Sequence, residues 1–519
     1  MNILRTSALR GTALTIGAFL VVSATPGSAQ DAPAAADTAT AVRDLQDEVR
    51  QLRALIETMR NENAESRAEM QQLRNDLEKT RALLQPPAQS GQAVANTQPA
   101  GNSSGSESVL SQRVQKLEES TALIGSKIDE QYQTKVETAS KYRARLHGIV
   151  LMNAFRNVGA SDNFDFPNFA RPVAFGSPQA SFGASLRQSE IGLEVFGPTI
   201  AGARTSADVQ LDFAGGFPIT GNGVNFGIAR LQTGSVRLDW KHTSVIAGQD
   251  SLFISPLSPT SFASLATPAF ALAGNLWGWT PQLRLERRFS ISDQQTFTVQ
   301  AGILDNLDWE YPYREFYRYA QAGEQSGQPA YALRASWSRP LHGHPFSFGA
   351  AGYYGRQDWN WDRYIDAWAG MADWQIPLAP RLSLSGEFYR GRGVGGLGAA
   401  VGRSIVYGGA PTDPFSPIRG LDSAGGWTQL KLQLTPKLEL NGVVAQDDAF
   451  TANIRNFALD LNNNGSILGR NQGALGNIVF RPRSDLVLAA ELRRLRTFPV
   501  YSSSSSVNNQ VGLSMGILF

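Results

Sequence analysis

The 519-residue chain contains no cysteine. Disulfides, thiolate metal sites and a cysteine nucleophile are therefore excluded. Histidine is scarce, with four residues in all. Beyond the N-terminal region no uninterrupted apolar run reaches the ~20 residues that a membrane-spanning helix needs. Net charge is only +2, so no partner with a large field of one sign, such as a nucleic acid, is implied. Glycine, by contrast, is plentiful at 50 residues, as suits many turns and closely packed strands.

What is present begins with a leader. Arg5 and Arg10 precede or flank the short apolar core TALTIGAFLVV, and PGSA supplies small residues at Gly27 and Ala29. Residues 1–29 read as a secretory signal peptide cut after Ala29. The competing reading is an uncleaved anchor, for which the apolar run is short.

Residues 40–85 keep a heptad. Val42, Val49, Ile56, Asn63, Met70, Leu77 and Leu84 share one core position; Leu45, Leu52, Met59, Ser66, Leu73 and Thr80 share the other. So narrow a seam needs partner helices, so a coiled coil and an oligomer are expected. The competing reading is a long helix packed on the rest of the chain. Residues 86–108 (PPAQSGQAVANTQPAGNSSGSES) are a flexible linker, and 109–140 form a weaker helical neck.

From residue 141 the period changes to two. Sixteen strands are expected, at 141–153, 186–196, 203–213, 231–240, 243–249, 280–289, 296–303, 331–337, 346–354, 363–374, 381–390, 427–434, 437–445, 473–480, 485–494 and 508–519. Long and short links alternate between them. Tight turns on one side, long loops on the other and an even strand number are the pattern of an outer-membrane barrel. The strand faces agree. In RLSLSGEFYR, Leu382, Leu384 and Phe388 oppose Arg381, Ser383, Ser385 and Glu387; in DLVLAAELRR, Leu486, Leu488 and Leu492 oppose Glu491 and Arg493. Unpaired charges on alternate faces would cost several kcal/mol or more in a dry sandwich core, but little against water. The fold class expected for 141–519 is therefore an all-β transmembrane antiparallel β-barrel of 16 strands with a wet interior, preceded by an α-helical coiled coil.

The expected inward cations are Arg143, Arg145, Arg204, Arg237, Arg284, Arg288, Arg334 and Lys431. Opposing them are Glu190, Glu194, Asp208, Asp212, Asp239, Glu286, Glu387 and Glu439. From Lys141 onward 33 Lys plus Arg face 28 Asp plus Glu, so a mild anion preference is expected. The competing reading pairs these charges across the wall.

The heptads, YRARLHGIVLMNAFRN, LRQSEIGLEVFG, IAGQDSLFISPLSP and the terminal MGILF together resemble the trimeric general porins, and more closely the DcaP-like outer-membrane porins. The resemblance implies a homotrimer held through the coiled coil and barrel walls. It also implies an outer membrane of a Gram-negative cell, contact with its lipid and lipopolysaccharide, and a periplasmic coiled coil. Phe519 would be read by the barrel-assembly machinery. The implied function is passive diffusion of small hydrophilic solutes, dicarboxylates among them, with no cofactor and no enzyme activity. A third loop, entered at Asp250, would fold inward as the constriction, with Ser255, Ser258, Phe262 and Phe270 in it; the alternative lays it over the mouth or against a neighbouring subunit. Rival functions are a channel selective for one sugar or organic acid, suggested by the aromatic DWEYPYREFYRY and YYGRQDWNWDRY, and a tether from outer membrane to peptidoglycan. Asp460–Gly465 has a calcium-loop start, but Asn471 stands where the bidentate glutamate belongs, so a turn is the plainer reading. No further ligands accompany His342 and His344, so no metal site is expected.

Overall fold

The computed structural model describes residues 143–216, 227–308, 318–411, 413–457 and 467–519. The expected leader, coiled coil, linker and neck (1–140), Asp460–Gly465, and residues 309–317 of the first aromatic segment lie outside them.

The strands are β1 Arg143–Val158, β2 Ala160–Ser161, β3 Ala170–Arg171, β4 Ala180–Ser185, β5 Glu190–Phe196, β6 Arg204–Asp212 and β7 Arg230–Asp239. They continue with β8 Thr243–Ser251, β9 Trp279–Ser292, β10 Gln295–Leu304, β11 Ala330–Leu341, β12 His344–Asp358, β13 Tyr364–Ala379 and β14 Leu382–Arg392. The last are β15 Ile405–Tyr407, β16 Ile418–Gly420, β17 Asp422–Thr435, β18 Leu438–Ala449, β19 Leu468–Arg483, β20 Leu486–Pro499 and β21 Ser506–Leu518. Two single-turn helices, α1 Ala322–Gln325 and α2 Thr451–Arg455, decorate the links.

Seventeen strands form one antiparallel sheet that returns on itself. β4 and β5 are two halves of one stave. β4 pairs the far end of β1 and β5 its near end, and the stave breaks at Leu186–Ser189. The Ser189 hydroxyl fills the break, accepting from the Leu151 amide at 3.0 Å. Counted as staves, the barrel has sixteen, as expected. β2 with β3 and β15 with β16 are small ribbons in the long links.

Closure runs through the last residue. β21 pairs with β1 from Asn509 to Leu518. Beyond it the Phe519 amide donates to the Gly148 carbonyl at 3.1 Å, and the Gly148 amide donates to the Phe519 carbonyl at 3.0 Å. A closed sheet has no free edge, which is what allows strands to sit in hydrocarbon. Side chains supply the other half of that requirement. On β21, Val511, Leu513, Met515 and Ile517 point outward while Gln510 and Ser514 are buried inward. Comparable outward rows occur on other staves, among them Leu146, Val150 and Met152 on β1, and Leu283, Leu285 and Phe289 on β9. Among the described residues no helix is long and apolar enough to cross a membrane.

Several staves run further than their side-chain alternation suggests. The expected 427–434 is Asp422–Thr435, and the expected 473–480 is Leu468–Arg483. Ladder hydrogen bonding continues past the apolar band, where polar residues on both faces no longer mark an inside. Two links on the long-loop side, 359–363 and 500–505, are short and are exceptions to the alternation of long and short links. Arg363 ties the first of these, donating to the Trp359 carbonyl at 3.0 Å and to that of Ser416 at 3.0 Å.

Leu513 is 60% exposed on the outer face. Leu513→Arg is expected to destabilise the barrel by about 2–4 kcal/mol in lipid, the cost of arginine near the bilayer midplane. Reversible denaturant unfolding in bilayers measures it; a loss within the error of Leu513→Met would place this face elsewhere than in hydrocarbon.

Candidate functional site: the barrel interior

Between β8 and β9 the chain turns inward. No charged residue occurs from Ser251 to Leu283, so nothing in this segment demands water at a fixed point. Leu252, Phe253, Ile254 and Leu276 pack on Ala332, Tyr353, Met371 and Tyr389 of the wall. Further along, Ala269, Phe270 and Ala273 pack on Trp427, Val443, Leu475 and Leu495. Phe270 adopts a left-handed φ of 64°, uncommon outside glycine, and lays its ring where a side chain at Gly473 would collide. At Gly274 (φ 104°) the loop presses on Gly426, so both the backbone conformation and the space require glycine. The loop thus lies inside the barrel, against one side of it.

Polar groups of the wall hold it there. The Glu387 carboxylate accepts from the Ser255 hydroxyl at 2.5 Å and the Leu257 amide at 2.7 Å. Gln429 accepts from the Thr260 amide at 2.7 Å. Asn477 donates to the Thr260 carbonyl at 2.7 Å, and Glu491 accepts from the Ser261 hydroxyl at 2.6 Å. Arg493 donates to the Ser264 hydroxyl at 2.7 Å and to Glu491, the side chains of that pair being 2% and 4% exposed. Gln188, in the break between β4 and β5, accepts from the Leu265 amide at 2.8 Å. These wall groups also bond each other: Gln429 donates to Asn441 at 2.9 Å and Asn441 to Asn477 at 2.9 Å. A buried belt this fully paired is stable; any one member removed strands its partner.

A charged ladder lines the adjoining stretch of wall and shares β11 and β13 with the footing of the loop. Arg237 donates to Asp239 at 2.7 Å, Asp239 accepts from Ser244, and Arg288 donates to Ser244 at 2.9 Å and pairs with Glu286. Gln300 donates to Glu286 at 3.0 Å, and Arg334 to Gln300 at 3.1 Å. Arg334 then grips Asp373 with two bonds, at 3.0 and 2.7 Å. One ladder therefore runs across the wall from β7 to β13. Beside it Arg145 pairs with Glu194 and Arg284 with Asp250. Asp208 accepts from the Ser235 hydroxyl at 2.7 Å and Glu190 from Gln210 at 2.9 Å. Lys431 lies 3.4 Å from Glu439 on the latched side.

All the candidate wall residues occupy inward positions of their strands, but they do different things. Arg145, Arg237, Arg284, Arg288, Arg334, Glu190, Asp208 and Glu286 lie on the open wall in paired arrangements. Arg143 and Arg204 are exposed, and among the described residues no carboxylate lies within ion-pair distance of either; the Arg143 guanidinium sits 5.8 Å from the Phe196 ring. Glu387 is capped by the loop instead of open to the interior. Asp250 belongs to β8 itself and neutralises Arg284. Within the loop, Ser258 is exposed, Ser255 is tied to Glu387, Phe270 is buried, and Phe262 lies 5.5 Å below the Arg481 guanidinium. The partners Gln188, Asp373, Gln429, Asn441 and Asn477 were not among the candidates. Strand parity alone places the last four inward, yet an uncharged amide is unremarkable until a loop is known to lie on it. His344 approaches the Pro380 carbonyl at 2.8 Å in its turn, and no metal-binding cluster occurs among the described residues. At the mouth, burial and then the neighbouring Glu324 raise the Asp305 carboxyl above its ordinary value.

No protein-family model matches the chain. No curated protein is similar to it in sequence. Solved structures are similar in fold. The outer membrane channel DcaP of Acinetobacter baumannii superposes with a TM-score of 0.54 at 14% identity, over 74% of this chain and 99% of that one. The chain has the fold of a DcaP-like porin. An anion-selective porin from Comamonas acidovorans aligns with a TM-score of 0.44 at 11% identity, over 73% of this chain and all of that one. OprB of Pseudomonas putida aligns at 0.43 and 14%, over 73% and 94%.

Glu387→Ala leaves the Leu257 amide unpaired, at about 1–3 kcal/mol, while the Ser255 hydroxyl keeps only the Leu276 carbonyl as its acceptor. The expected result is a larger and noisier open current in planar bilayers, with Glu387→Gln intermediate. A current identical to the parent's would show that the loop is not held there.

Proposed function

We propose that the chain is a trimeric outer-membrane porin through which small hydrophilic solutes pass down their gradients. The observation that carries this reading is the closed barrel whose inner wall is lined with ionised groups and narrowed by an uncharged loop. Such a wall suits water and solutes in transit, since its acids and bases satisfy each other and leave weak, multiple sites for anything passing. The porin fold of the solved channels supports the same reading, as do the expected leader and the outward apolar band for a Gram-negative outer membrane.

The finer claims follow from charge. Where an arginine is bound bidentately, as Arg334 is by Asp373, it has little left for a solute. Among the candidate wall cations, Arg143 and Arg204 have capacity to spare, which would make the anion preference mild, with its source near the tight-turn mouth. Small carboxylates, including dicarboxylates, suit guanidinium geometry. Asp250, Ser255, Ser258, Phe262 and Phe270 belong to the constriction segment, with Ser258 offering its hydroxyl to the pathway. Phe519 serves assembly as well as closure, presenting its C-terminal aromatic to the barrel-assembly machinery. The coiled coil expected from the heptad of residues 40–85 would strengthen the trimer on the periplasmic side.

The test is single-channel recording of the folded full chain in planar bilayers under a salt gradient. Expected are three-step insertions, a small reversal potential of anion sign, and its loss in Arg143→Gln/Arg204→Gln. Titrated dicarboxylates should reduce the current reversibly. A silent bilayer from folded protein would overturn the channel reading, and a cation-signed potential the anion preference.

A further inference from the structure

Outward arginines are unusual on a lipid-facing wall, because a charge held against hydrocarbon is costly unless it is solvated or paired. Arg156 on β1 and Arg494 and Arg496 on β20 all point outward and are exposed. Arg156 stands in register with Val511, which stands in register with Leu492, so this arginine shares a row with two lipid-facing side chains. Arg494 lies one outward position beyond that row. Two strand spacings separate β20 from β1, on the order of 10 Å, within the joint reach of two arginines.

Among the described residues none of the three has a carboxylate within ion-pair distance. Neighbouring Arg470, by contrast, is matched by Asp448 at 2.8 Å. Two of the three guanidiniums are nonetheless held in place. Arg494 donates to the Asn509 side chain at 3.3 Å and Arg496 to the Ser505 hydroxyl at 2.9 Å, with Arg496 also 4.7 Å from the Phe498 ring. They sit at the long-loop end of their strands.

Directly beneath this cluster, toward the middle of the barrel, the outer surface is hollowed. Ala154 and Ala490 leave a groove of about 450 Å³ between the larger Met152, Ile478, Leu488 and Leu513. It is almost wholly apolar, as a chain of methylenes requires.

We propose that this face binds one phosphorylated lipid of the outer leaflet, its phosphate between Arg156, Arg494 and Arg496 and one acyl chain in the groove below. The proposal rests on the reading of the chain as an outer-membrane barrel. It names a site that neither the pore nor the loop uses. Guanidinium is the natural partner of phosphate, and each arginine near an anionic surface adds about 1 kcal/mol.

The test is native mass spectrometry of the full chain extracted from its own membranes in a non-ionic detergent, counting retained phosphorylated lipid. The parent should keep such a lipid. Arg156→Gln/Arg494→Gln/Arg496→Gln should keep it at least about tenfold less often. Ala490→Phe, or the smaller Ala154→Leu should the first not fold, should also lose it with every charge in place. Single-channel current in the same preparations should match the parent. Retention by the charge variant, or no lipid on the parent, overturns the proposal. So does loss in the charge variant alone with inorganic phosphate as an effective competitor, which would make this a phosphate site without a lipid tail. Dissociation of the oligomer in the charge variant would instead make this face a seam between copies. A silent parent that still retains lipid would refute the channel and leave this site standing.

Discussion

One constraint governs the interior of this barrel: the wall groups that the inward loop covers, away from water, are paired with that loop or with each other. The loop between β8 and β9 has hydroxyls and backbone groups to offer and no charge of its own. Glu387, Gln429, Asn477, Glu491 and Arg493 take those groups as partners. The wall is thus both the anchor of the loop and, where the loop does not cover it, the surface left to solutes. A charged loop would have competed with the wall's own ion pairs. An apolar wall would have given the loop nothing directional to hold.

The same logic extends outward. In the closed sheet the backbone is satisfied stave to stave, and Phe519 with Gly148 completes the last pairing. Side-chain parity then separates two solvents, with period-two residues meeting lipid on one face and a hydrogen-bonded ladder on the other. Gly274 and Gly473 are needed where the loop meets the wall, since there backbone and ring approach within a side chain's width.

Much of this was legible in the sequence, and the reason is the period of the strand. Alternation in segments such as VGLSMGILF and RLSLSGEFYR fixes both the strand and its two faces, so all sixteen staves and the inward parity of the arginines could be read without coordinates. What parity does not reveal is distance along the inside. Glu387 and Arg145 look alike in sequence, yet one is capped by a loop and the other stands on the open wall. Asn441 and Gln429 gain meaning only from a segment far away in the chain. Strand ends were short in the reading because polar residues beyond the apolar band carry no parity signal. The break at Leu186–Ser189 was invisible because its cause is a single serine bonding across to Leu151.

The absence of cysteine makes one direct measurement possible. Ser258 is exposed on the loop inside the barrel, so Ser258→Cys adds a single thiol to a background with none. Adding a charged thiosulfonate reagent during single-channel recording should lower the current in discrete, lasting steps, as each pathway acquires a bulky charge at its narrow point. An unchanged current after complete modification would show that solutes do not pass this loop, and would contradict the account at its centre.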